Sequence, residues 1–180
     1  MRRVLLCFGV LGICAISRGE IPFSEMTKAS LIFRAQDDPS TDYPHRILVY
    51  LRLENKWDGG LTWACDSVAG LEAELLDSKG KPVQPPPSAA SVPSSHQVYR
   101  LPIGSRLDWF IGSGGISMMG DLQSTAALMV GRYGWLLPRD SLSKYSLSVR
   151  LRGTPFGRAD GMGETRVLFE VPPTPIQITK

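Results

Sequence analysis

The sequence predicts an all-β protein, an antiparallel β-sandwich of about eight short strands, and three observations predict it. Short apolar runs recur along the chain between Gly, Pro, Ser and Asp, as strands joined by turns do. Alternation is clean in the run from Tyr145 to Arg152. It sets Tyr145, Leu147, Val149 and Leu151 on one face and Ser146, Ser148, Arg150 and Arg152 on the other. Helical periodicity is confined to Asp121 to Val130, where Leu122, Ala126 and Met129 share a helix face, and even there Ala127 to Val130 reads equally well as strand.

The elements follow in chain order. MRRVLLCFGVLGICAISRG sets Arg2 and Arg3 before an apolar run, Val4 to Ile16, too short to span a bilayer, with small Ala15 and Ser17 near its end. This is the pattern of a secretory signal. Residues 1–19 are expected to be a signal peptide, cut between Ser17 and Glu20, and residues 20–180 to form one domain. Cys14 raises lipidation as an alternative: Leu11 fits a lipobox, but Ile13 stands where a small residue is needed. Either route places the domain in the periplasm, the cell envelope or outside the cell.

Ala29 to Ala35 is the first strand, and DDPSTDYP after it is a turn-rich loop. Ile47 to Leu53 is nearly all apolar at its centre, as a strand covered on both sides should be. Leu71 to Leu76 pairs with Pro82 to Gln84 across DSKG, where Gly80 supplies a positive φ. Pro85 to Ser95 holds too much proline for ladder or helix and is a surface loop. Gln97 to Leu101 and Arg106 to Ile111 are strands separated by Pro102 and Gly104, and Gly112 to Gly120 is too glycine-rich to assign. Trp135 to Pro138, Tyr145 to Arg152 and Thr165 to Val171 complete the set. Pro172, Pro173 and Pro175 are then expected to end regular structure.

Charge and cysteine content narrow the function classes. The formal charge is +3, and loss of Met1 to Ser17 removes Arg2 and Arg3 with no acidic residue, leaving +1. That balance gives no support for a nucleic-acid partner. No further apolar run reaches membrane-spanning length, so no transmembrane anchor is expected. Two of the three cysteines leave with the leader, and Cys65 then has no partner for an intramolecular disulfide.

The chemistry-bearing residues do not assemble into a known constellation. Nucleophilic catalysis needs an activated Ser or Cys with a base in reach. The only histidines are His45 and His96, both read as loop residues, and GSGGISMMG holds no nucleophile elbow. Cys65, beside Trp63 and Ala64, reads as buried and inert. The catalytic set is therefore none, and the chain reads as a non-enzyme. A copper site from His45, Cys65, His96, Met118 and Met119 would draw on scattered positions rather than one loop. Asp37, Asp38 and Asp42 could hold calcium but lack the D-x-D spacing and glycine turn, so they read as a solvated acidic loop. No metal or cofactor is expected. Carbohydrate is a further ligand class, through a platform drawn from Trp57, Trp63, Trp109 and Trp135. Trp109 alternates with Leu107 and Ile111 and belongs to the core; Trp57, in a polar turn, is the one expected to be exposed.

Four segments, LVYLRLEN, AELLDSKGKPV, RLPIGSRLDWF and KYSLSVRL, together resemble exported bacterial immunoglobulin-like or fibronectin-like domains. Their order is also similar to that of the Bacillus-type proteinase-inhibitor domain. There a strand ending in Asn, a D-x-x-G-x-x-V hairpin, an L-x-P-G turn and a Y-x-L-x-V strand recur. Asn55 matches the first; Asp77, Gly80 and Val83 approximate the second; Leu101, Pro102 and Gly104 give L-P-x-G, spaced differently. The resemblance implies an immunoglobulin-like sandwich with a binding or structural role in the cell envelope and a protein or envelope component as partner. It carries no inhibitory residue over to this chain. In such sandwiches a Tyr near the start of a late strand bonds its hydroxyl to backbone upstream. Asp140 and Tyr145 are expected to form that corner, with an ordinary half-buried Tyr as the alternative. Two other functions stay open: a proteinase-inhibitor-like module and an envelope hydrolase.

Overall fold

Side-chain alternation is what lets each strand give one face to a shared core and the other to solvent. The computed structural model describes residues 23–37, 45–66, 69–86, 96–116, 125–156 and 164–179. Among these the strands are β1 (Thr27–Asp37), β2 (His45–Asn55), β3 (Leu61–Asp66), β4 (Leu71–Leu76), β5 (Pro82–Val83) and β6 (His96–Leu101). They continue as β7 (Arg106–Ile116), β8 (Thr125–Val130), β9 (Tyr133–Pro138), β10 (Ser146–Phe156), β11 (Arg166–Pro175) and β12 (Ile178–Thr179). A four-residue helix, α1 (Phe23–Met26), precedes β1, and a 3₁₀ turn, Arg139–Lys144, precedes β10.

Two sheets form the sandwich. The first has the order β12-β1-β2-β7-β8-β9, antiparallel except where β12 joins β1. In the second, β10 lies between β11 on one side and β3 and β4 on the other, with β6 beyond β3 and β5 beyond β4. β3 and β4 run end to end along β10 as one interrupted strand, and the Arg152 N–H bonds the Gly70 carbonyl at 2.7 Å in the gap between them. The chain changes sheet between β2 and β3, β6 and β7, β9 and β10, and β11 and β12.

Between the sheets lies a single apolar cluster that joins Val49, Leu51 and Leu53 to Leu75, Leu147 and Val149. At one end Phe23 of α1 sits edge-on to Trp63 and Phe169, with ring centres 5.9 and 5.4 Å away. The Trp135 indole of β9 donates to the Val83 carbonyl of β5 at 2.9 Å, tying the two layers together.

Several expectations meet the structure closely. DSKG is the β4–β5 turn, with Gly80 at φ 73° and the Asp77 carboxylate accepting the Lys79 and Lys81 N–H groups at 2.8 and 2.9 Å. Others are corrected. Strand β3 was missing from the expected set altogether. β2 is not covered on both sides: Ile47, Val49, Leu51 and Leu53 are buried, whereas Leu48, Tyr50, Arg52 and Glu54 face outward. β7 continues through Gly112 to Ile116, because the backbones of β7 and β8 approach closely there. A Cβ on Gly112 would lie 2.1 Å from the Met129 carbonyl oxygen. Thr125–Val130, left open between helix and strand by the sequence, is strand; residues 121–124 lie outside the described residues. The prolines do not end regular structure: β11 runs to Pro175. Among the described residues it pairs with β10 alone, and Pro172 and Pro173 fall at the register shift between Val171 and Thr174, as proline does on an edge strand. His45 and His96 open strands rather than sitting in loops.

The tyrosine corner is closed by backbone instead of hydroxyl. The Tyr145 ring packs against the core, its N–H donates to the Leu142 carbonyl at 3.1 Å, and its carbonyl accepts the Ile176 N–H at 3.0 Å. Among the described residues its hydroxyl has no hydrogen-bond partner.

Candidate binding face

The outward residues of β1, β2, β7, β8 and β9 form one continuous surface, and strand register stacks them in rows. Ile32, Tyr50 and Phe110 make one row. Arg34, Leu48, Ser113 and Met129 make the next, and Arg46, Gly115, Ala127 and Leu136 a third. Water should meet polar side chains on such a face. Instead Phe110 is 53% exposed, Met129 49% and Leu136 65%. Tyr50 meets Phe110 edge-on, ring centres 5.8 Å apart, and the Arg34 guanidinium lies 5.1 Å above the Tyr50 ring. Met129 drapes over Gly134, where a Cβ would come within 2.5 Å of its sulfur.

Beyond the aromatic row the same face carries charge. Arg52 grips Asp108 with two bonds, Nε to Oδ1 at 2.7 Å and Nη2 to Oδ2 at 2.8 Å. Arg34 reaches the same carboxylate at 3.0 Å and Arg106 stands 3.8 Å away. The hydrogen bond from Arg52, helped by the charges of Arg106 and Arg34, holds the Asp108 carboxyl below its ordinary range; Asp108 in turn raises the Arg52 guanidinium. Lys56 lowers the Glu54 carboxyl through a 2.8 Å contact. Among the described residues Lys28, Arg34, Arg46, Arg52 and Arg106 share this face with two carboxylates, Glu54 and Asp108. Arg46 makes no ion pair among the described residues.

The outer face of the other sheet is composed differently. Arg150 pairs with Glu170 and Arg152 with Glu72, each at 2.8 Å, across neighbouring strands. A shallow, open depression lies there, lined by Glu72, Ala73, Glu74, Tyr133, Ser148 and Arg150.

The residues singled out from sequence are not brought together. Trp63 and Trp135 are buried, Trp109 packs against the core beside Tyr99, and Trp57 alone is exposed, at 39%, folded over Gly59. A platform of four tryptophans is therefore not built. Cys65 is buried, and burial pushes its thiol up to about 11, which suits an inert residue rather than a nucleophile. The neighbouring Trp63 indole eases that rise slightly, yet its N–H meets no acceptor in hydrogen-bond geometry. β3 and β6 set Asp66 opposite His96, and β1 and β2 set Asp37 opposite His45, in different sheets. Met118, Met119, Asp38 and Asp42 lie outside the described residues. No group of three metal-ligating side chains, and no helix long and apolar enough to cross a membrane, occurs among the described residues.

Asn55, noted in the sequence only as a strand end, proves to be a buried knot. Its amide donates to the carbonyls of Gly59, Leu101 and Pro102 at 2.8 to 3.1 Å, and its oxygen accepts the Trp57 N–H at 2.9 Å. Phe110, Met129 and Leu136 were not singled out from sequence at all. The signal was present in β2, whose apolar residues on both faces were read as two-sided burial. Comparison with family models, with curated proteins and with solved structures finds no match.

Proposed function

We propose that this chain is an exported, non-enzymatic binding module of the cell envelope, built as an immunoglobulin-like sandwich. The observation that carries the reading is the exposure of Phe110, Met129 and Leu136 in three successive rows on the outer face of the β2 sheet, with half-buried Tyr50 beside Phe110. Contiguous apolar surface on a folded domain marks a place where something docks. Strand order supports the immunoglobulin-like part: β1, β2 and β7 adjoin in one sheet, and β6, β3, β10 and β11 in the other, with a buried tryptophan on β3. The leader pattern from Arg2 to Ser17 supports export.

A photo-crosslinking amino acid placed at Phe110 or Leu136, and separately at Val98 on the opposite face, tests the reading in intact cells. Discrete adducts in the envelope fraction from positions 110 and 136, with none from 98, are the expected result. Equal labelling at all three, or none at 110 and 136, would remove the docking face. Protein from that fraction should begin between Arg18 and Ile21; recovery with Met1 intact would end the export reading.

A further inference from the structure

We infer that the partner of this face is an acidic protein segment carrying aromatic or aliphatic side chains. The inference rests on the docking reading and adds the chemistry of what docks. Charge supplies the first argument. Among the described residues five cations stand on the face against two carboxylates, and both carboxylates are already engaged, Asp108 by Arg52 and Arg34 and Glu54 by Lys56. Arg46 and the outer edge of Arg106 have donors to spare, so negative charge brought to this surface is stabilised rather than repelled.

Side-chain type supplies the second. Phe110, Met129 and Leu136 offer no hydrogen-bonding group, so the centre of the face favours apolar side chains of a partner. Arg, Tyr, Phe and Met beside one another are the composition of protein–protein contact cores, where Lys and Glu are scarce. The order of the rows supplies the third. The guanidinium cluster flanks the Ile32–Tyr50–Phe110 row on one side, and Arg46 lies two rows away on the other. A segment crossing the sheet with carboxylates on either side of an apolar residue would meet cations at both ends and Phe110 or Met129 between.

A random copolymer of glutamate and tyrosine serves as probe, compared with polyglutamate, dextran sulfate and vesicles of phosphatidylglycerol and phosphatidylethanolamine. The copolymer should bind at least about tenfold more tightly than polyglutamate or dextran sulfate, and the binding should weaken as salt rises from about 0.05 to about 0.2 M. Arg46→Glu and Phe110→Ser should each weaken it about tenfold, whereas Arg100→Glu, the same charge change on the opposite face, should not. Both positions are exposed or unpaired, and thermal melts of the variants should match the parent. Equal affinity for polyglutamate or dextran sulfate would reduce the face to a non-specific cation patch and overturn the inference. So would vesicle binding without copolymer binding, an equal loss in Arg100→Glu, or no binding at all. Failure here with crosslinks still formed at Phe110 condemns only the acidic-segment assignment; loss of those crosslinks condemns the docking face itself.

Discussion

On the outer face of the β10 sheet, Arg150 answers Glu170 and Arg152 answers Glu72 across adjoining strands. On the outer face of the β2 sheet, three arginines crowd one aspartate while Phe110, Met129 and Leu136 stand in water. Both faces come from antiparallel strands over one core, so the fold imposes neither pattern. The first balances its charges across strands as solvent asks of a sheet, although Val98 and Val167 are exposed there too. The second carries exposed apolar area and a cation excess that solvent does not require, and on the docking reading proposed above this contrast marks the face that meets a partner.

The comparison holds only if the inner faces are alike, and this carries the largest expected effect. Leu51→Ala beneath the first face and Leu147→Ala beneath the second should each cost about 2–5 kcal/mol, since both side chains are wholly buried in one cluster. Denaturant unfolding reads both. A much smaller loss at Leu51 would mean that the β2 sheet is loosely packed, and its odd outer face would then reflect poor folding rather than docking.

Asn55 comes next, because it ties the end of β2 in one sheet to the end of β6 in the other. Asn55→Ala strands the Leu101 carbonyl and the Trp57 N–H, for a loss of about 1–3 kcal/mol where those groups stay dry. Asn55→Asp keeps the acceptor for Trp57 but sets a buried carboxylate against the Gly59, Leu101 and Pro102 carbonyl oxygens, so it should cost at least as much as Ala. If both variants match the parent, the sheets are joined by the core alone.

How much of this was legible follows from which residues alternate in polarity. Tyr145 to Arg152 and DSKG could be read directly, because each side chain there agrees with the face or turn position it occupies. β2 could not, because Leu48 and Tyr50 are apolar on the solvent side, and a docking surface leaves the same mark on a sequence as burial does. Gly112 to Gly115 hid strand β7 because glycine signals a turn until the close passage of β8 is known. β3 shows no clean alternation, because Ala64 is buried between Trp63 and Cys65. No residue of the candidate face could be singled out from the sequence, because only strand register sets them side by side in rows.

A smaller effect separates the two faces by pH. Asp108 is held below its ordinary 3.8 in the folded protein by the Arg52 hydrogen bond. A depressed carboxyl contributes stability above its unfolded value, and that contribution is lost as pH falls through the folded value. Asp108→Asn should therefore be less stable than the parent near neutrality and converge with it as pH falls below the ordinary carboxyl range. Glu170→Gln, at an exposed pair on the other face, should track the parent throughout. A parallel loss in both variants would mean that the arginine cluster is no more organised than an ordinary surface pair.

The smallest effect lies where the chain leaves the first sheet for the second. Tyr145 follows the 3₁₀ turn after β9 and opens β10, the place where a tyrosine corner would use its hydroxyl. Here backbone does that work: the Leu142 and Tyr145 carbonyls are both taken by N–H groups, and the hydroxyl bonds no described residue. Tyr145→Phe removes an oxygen with no partner and keeps the ring on the core, so stability should change by less than about 0.5 kcal/mol. Tyr145→Ala, which takes the ring as well, should cost clearly more, and the difference between the two assigns the role to packing. A loss of about 1–3 kcal/mol in the Phe variant would instead reveal a buried acceptor and restore the hydroxyl corner. In that event the crossing between the sheets is pinned by a side chain, and the immunoglobulin-like reading gains its most specific support.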